Sequence, residues 1–87
     1  MKTAMFRGSK YGVDLCGPID GSCQNPKEGG LPWLRICVPL NKRRGLITAI
    51  HESLHACSFL KSEEAVTETA EDIGRFLWRL GYRHVED

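Results

Sequence analysis

The chain has 87 residues, 26% of them charged, with 12 Lys and Arg set against 11 Asp and Glu. That length makes a single small domain, near the lower limit at which a core supports itself without a staple such as a metal ion. The balanced charge argues against a protein that coats nucleic acid, and no apolar run approaches the ~20 residues of a membrane span.

Met1 to Arg7 lack the apolar stretch of a secretory signal, so the expected location is the cytoplasm. Cys16, Cys23, Cys37 and Cys57 then read as reduced thiols. Their spacing contains no C-x-x-C knuckle, which argues against a four-cysteine zinc ribbon. Residues 1–30 read as a glycine- and cysteine-rich loop region, within which residues 1–12, with the apolar patch Met5-Phe6, read as a weak strand or an irregular arm. Gly17-Pro18, Asp20-Gly21 and the run Asn25 to Gly30 are turn signals, and Asp20 reads as a turn cap.

Residues 31–40 form the best strand candidate, rich in aromatic and β-branched residues and bounded by Pro32 and Pro39. Alternation puts Leu34, Ile36 and Val38 on one face and Trp33, Arg35 and Cys37 on the other. The prolines favour an edge or short strand over a central one, and an edge strand can pair with the backbone of an extended peptide.

A helix is expected over residues 43–58. Asn41 is its candidate N-cap, but Lys42, Arg43 and Arg44 oppose the helix dipole, which moves the expected start toward Gly45. The basic cluster itself reads as a solvated turn. Ile47, Ile50, Leu54 and Cys57 recur at helical spacing as a core-facing stripe. A second helix is expected over residues 63–80. Ser62 is its N-cap, Glu63 and Glu64 occupy its first turn, and Gly81 follows its end. Its apolar face reads Val66, Ala70, Ile73, Leu77 and Leu80. The short connection makes the two helices antiparallel neighbours. The expected fold class is α+β, a short edge strand or small antiparallel sheet with two antiparallel helices.

The chemistry is concentrated in His51-Glu52-Ser53-Leu54-His55. Histidines four apart on a helix share a face, and two imidazoles so placed suit one tetrahedral Zn²⁺. Glu52 is rotated about 100° from His51, where its carboxylate can reach the open side of the metal as a general base without ligating it. This is the H-E-x-x-H pattern of zinc peptidases. Zinc then needs a third ligand, and a Glu from the following helix is the expected source. The candidates are Glu63, Glu64, Glu68 and Glu71. Glu63 continues the inward stripe three residues before Val66 and stands near the turn beside His55; Glu64 and then Glu68 follow it. Thr67 is placed to orient the ligand. Tyr11, Tyr82 and Arg83 are candidate oxyanion donors, and His84 reads as a tail residue.

His51 to Ala56, Ser62 to Val66 and Asp72 to Arg83 resemble the small metallopeptidases encoded by bacteriophages and prophages. These are similar to minimal gluzincins and more distantly to the ImmA/IrrE and SprT-like zinc peptidases. The resemblance covers residues 34–83. In the ImmA-type pattern the ligand Glu heads E-x-x-A-N-x-F-A, which falls on Glu63 here, with Thr67 in place of the Asn, Thr69 in place of the Phe, and a short link of seven residues after His55. The resemblance implies a minimal zincin-like domain over residues 1–87, a Zn²⁺ cofactor and a peptide or protein substrate. A second reading keeps the zinc as a staple in a non-catalytic domain that binds a host protein. A third, a small nucleic-acid binder using Lys42 to Arg44, would show strongly salt-dependent DNA binding.

Overall fold

The computed structural model describes residues 2–15, 21–23, 32–58 and 61–85. The turn signals at residues 17–20 and 25–30 and the thiol of Cys16 lie outside the described residues. The architecture is α+β, with strands β1 (Lys2–Phe6), β2 (Ser9–Asp14), β3 (Gly21–Cys23) and β4 (Trp33–Ile36) preceding helices α1 (Arg43–Cys57) and α2 (Glu63–Leu80).

The region expected as loop therefore contains three of the four strands. The first two form a hairpin in which Phe6 pairs with Ser9, leaving a two-residue turn. Arg7 and Gly8 both have positive φ, 52° and 81°, the handedness that matches the twist of the flanking strands. Glycine adopts it freely and arginine at a cost. Arg7 is also tied down elsewhere, donating from Nη1 to the Cys57 carbonyl (3.2 Å) at the C-terminus of α1, where a cation suits the helix dipole.

The sheet order is β1-β2-β4-β3. β1 is antiparallel to β2, β4 is antiparallel to β3, and β2 and β4 are parallel. The sheet is thus mixed rather than antiparallel. β4 is short, four residues, as its prolines suggest, but it lies inside the sheet with neighbours on both sides and is not an edge strand. Pro32 and Pro39 stand outside the four paired residues, where they remove no ladder hydrogen bond. The alternation holds within the strand: Leu34 and Ile36 are buried and Arg35 is exposed. Val38 lies past its end. Leu34, Ile36, Tyr11 and Ala56 make the core, flanked by Phe6, Leu40 and Ala49.

α1 is the middle layer, with the sheet on one side and α2 on the other. It begins at Arg43 with Lys42 as N-cap and no side-chain cap; the turn before it is closed by Lys42 N–H donating to the Pro39 carbonyl, 3.1 Å. Asn41 is therefore not the cap. The expected stripe is also displaced. Gly45, Thr48, Glu52 and Ala56 are the buried residues of α1, whereas Ile47, Ile50 and Leu54 are half-buried and Cys57 is exposed. Ala56 packs among Tyr11, Leu34 and Ile36 of the sheet, and Gly45 lies against the Pro39–Leu40 backbone, where a Cβ would not fit; a search for large apolar residues overlooks both.

α2 follows its expected span. Ser62 Oγ accepts from Ala65 N–H at 3.1 Å, and Gly81 ends the helix in the left-handed region. Val66, Ala70 and Gly74 are buried, while Ile73 and Leu80, expected on the inner face, are exposed. The inner face is again built around small residues: a Cβ at Gly74 would overlap Ile47 Cγ1. Gly74 meeting Ile47 and Glu63 meeting His55 fix opposite helix directions. No described helix is long and apolar enough to cross a membrane.

Candidate metal centre

At 100° per residue, Ile47, Thr48, His51 and His55 fall within a sector of about 100° on α1. This is the side toward α2, as the Ile47–Gly74 and histidine–Glu63 contacts require. The two imidazoles lie edge to face, with ring centroids 5.0 Å apart, and each histidine side chain is 19% exposed. Burial on the flank of the helix holds both rings in place.

Glu63 is the first residue of α2, directly after its cap, so its side chain projects across the helix junction. Its carboxylate bridges the two rings. Oε1 lies 2.7 Å from His51 Nε2 and Oε2 lies 2.7 Å from His55 Nε2. Glu63 remains 68% exposed, so it reaches the histidines from the rim and does not sit on a buried stripe. Glu64 and Glu68 are exposed and stand outside the cluster, and Glu71 lines a cleft nearby without joining it.

One ligand atom from each of His51, His55 and Glu63 lies within 4.8 Å of the others. Two imidazoles and a carboxylate form the donor set of a catalytic zinc site. Ligand atoms on a tetrahedral zinc with bonds of 2.0–2.1 Å stand roughly 3.3 Å apart. The carboxylate is closer to the rings than that and would have to withdraw by about 0.6 Å to admit an ion. An exposed glutamate can make that adjustment, so two fixed donors and one adjustable donor fit the group.

Glu52 is 7% exposed and lines a cleft of ≈ 280 Å³ together with His51 and Glu63. Burial raises the pKa of its carboxyl, the His51 and His55 rings pull it down, and the Glu63 carboxylate adds to the rise. A carboxyl so placed holds a proton more readily than an exposed one, as a group that accepts and returns protons must.

Thr67 lines the same cleft but makes no hydrogen bond to Glu63. The expected oxyanion donors stand elsewhere. Tyr11 is buried against Phe6 with ring centroids 5.4 Å apart. Arg83 lies 3.4 Å over the Trp78 ring and donates to the Trp78 and Tyr82 carbonyls, and Tyr82 is exposed. The cleft is instead lined by Arg44, Thr48 and Glu71. Arg44, expected in a solvated turn, precedes His51 by seven residues, two helical turns along the same face. That spacing is legible in the sequence, but only after the face is known.

Compared with known protein families, curated proteins and solved structures, the chain gives no significant match.

Proposed function

We propose that the protein is a small zinc-dependent peptidase of minimal zincin-like fold, acting on peptide or protein substrates in the cytoplasm, in keeping with a phage or prophage origin. The observation that carries this reading is the convergence of His51, His55 and Glu63 beside the buried carboxyl of Glu52. Zinc bound there supplies a Lewis acid for the scissile carbonyl and lowers the pKa of water toward about 7. Glu52 then accepts a proton from the attacking water as its oxygen bonds to the carbonyl carbon. As the carbon–nitrogen bond breaks, Glu52 returns that proton to the leaving amine. His51 and His55 hold their geometry through burial, and Glu63 adjusts to close the donor set. The free thiols of Cys37 and Cys57 suit a reducing compartment.

The test is metal analysis with peptide hydrolysis on the same samples. Wild-type protein should hold one zinc per chain and cleave peptides. Glu52→Gln should keep the zinc and lose activity by about 10²–10⁴-fold, the usual worth of a general acid–base. Full activity in Glu52→Gln would overturn the mechanism.

A second reading, a zinc-stapled domain that binds a host protein, draws on the exposed apolar residues Ile73, Phe76 and Leu80 along α2. In that case partner binding survives Glu52→Gln, and no peptide is cut by either form.

A further inference from the structure

We infer that α2 pairs antiparallel with the α2 of a second copy of the chain, burying Ile73, Phe76 and Leu80 in a two-fold dimer. This goes beyond the peptidase reading and does not rest on it. Ile73, Phe76 and Leu80 follow one another at steps of three and four residues, the spacing of a seam between helices, and are 39%, 61% and 59% exposed. Val66 stands on the same row two turns before Ile73, yet it is fully buried. The row is thus covered at the start of α2 and left open toward its end. Large apolar side chains grouped in this way mark an interaction surface.

The charges of α2 indicate what covers it. The stretch from Glu63 to Asp72 carries five carboxylates and no base, whereas the rest of the helix carries Arg75 and Arg79 and no acid. A parallel copy would set acid against acid and base against base. An antiparallel copy sets each acidic half against a basic one and opposes the two helix dipoles. Glu68, Asp72 and Arg79 share one flank of the apolar row, within about 110° of its centre. When Ile73 of one copy packs on Phe76 of the other, the partner's Arg79 falls midway between Glu68 and Asp72, about 3 Å along the axis from each. Glu68 and Arg79 make no ion pair among the described residues. Asp72 meets Arg75 in an exposed pair, which contributes little and can be shared.

A face that complements itself in both apolar spacing and charge order is what a two-fold interface requires. Glu63, Thr67 and Glu71, which line the metal cleft, stand roughly 150° around α2 from the row, so the dimer leaves the cleft open. One helix face on another falls short of the ~800 Å² a side of a standard interface, and the dimer is therefore expected at micromolar concentrations and above.

The test is sedimentation equilibrium of the full chain from about 1 to 300 μM. The wild type should pass from the mass of one chain to that of two. Phe76→Gln, at an exposed position, should weaken dimerisation at least tenfold. Asp72→Arg and Arg79→Asp each set like charges across the pair and should do the same. An equimolar mixture of those two variants restores opposite charges and should recover most of the lost affinity. The double variant Asp72→Arg/Arg79→Asp, whose net charge equals that of the wild type, should recover it too. The charge variants carry the test if Phe76→Gln loses its far-ultraviolet circular dichroism. A wild type that stays monomeric across the range overturns the dimer and leaves the face to a different protein. A dimer unmoved by Phe76→Gln, or charge variants whose mixture dimerises no better than either alone, overturns the antiparallel pairing of α2.

Discussion

Glu52 and Glu63 lie at one site, and their surroundings differ in a way that suits them to the different tasks proposed for them. Glu63 is exposed and lies between two imidazoles, so it is available as a ligand. Removing it leaves two donors. Glu63→Ala should weaken zinc binding by more than about a hundredfold, since even outer-shell partners of a ligand are worth 10–100-fold; competition with a chromophoric chelator measures this. Glu52 is buried, and burial raises its pKa. In metal-free protein the native state therefore binds more protons than the unfolded chain between the ordinary glutamate value, about 4.3, and the raised one. Stability is full below that window and falls as pH rises through it. Urea unfolding at a series of pH values should show this decline, and Glu52→Gln should flatten it. An unchanged slope would mean that the Glu52 carboxyl is better solvated than its burial indicates.

The elements bring the site together through small residues at the helix junction. Gly74 lets α2 approach Ile47 closely, and that approach sets the reach of Glu63. Gly74→Ala adds a methyl where none fits. Overpacking of this kind costs about 1–3 kcal/mol, which outweighs the gain of up to ~1 kcal/mol in helix propensity. Chemical denaturation should show net destabilisation, and zinc affinity should fall with it because the two helices are pushed apart. Both helices and the caps of α2 are legible in the sequence because Ser62, Gly81 and the H-E-x-x-H spacing are local signals, whereas the start of α1 carries no side-chain cap and offers no such signal. Of the strands in residues 2–23, only the weak strand expected within residues 1–12 is legible; its folding into the β1–β2 hairpin and the presence of β3 are not, since Arg7-Gly8 is a weak turn signature and β3 has three residues. The interior place of β4 depends on pairing with β2 and β3, a long-range fact that its flanking prolines obscure. On α2 the expected Val66 and Ala70 are buried, but Gly74 replaces Ile73 on the inner face, and on α1 Gly45 and Ala56 are buried in place of the larger apolar residues; glycine and alanine pack closely without standing out as apolar. Glu63 was picked out by its closeness to the turn, although the buried stripe invoked for it does not include it.

At the scale of the whole molecule, α2 rests on α1, with no comparable contact to the sheet among the described residues, so an ion held by His51, His55 and Glu63 would cross-link the outer layer to the rest. An ion that binds only the folded state stabilises it by about 2.7 kcal/mol at a concentration of 100 Kd. For a domain of this size each kcal/mol shifts the melting temperature by about 4–8 °C. The most direct measurement is the melting temperature of metal-free protein, with and without zinc at that concentration, for the wild type and Glu63→Ala. A rise of about 10–20 °C in the wild type, absent from Glu63→Ala at the same zinc concentration, is the predicted result. Equal melting temperatures with and without zinc in the wild type would contradict a metal centre built from His51, His55 and Glu63.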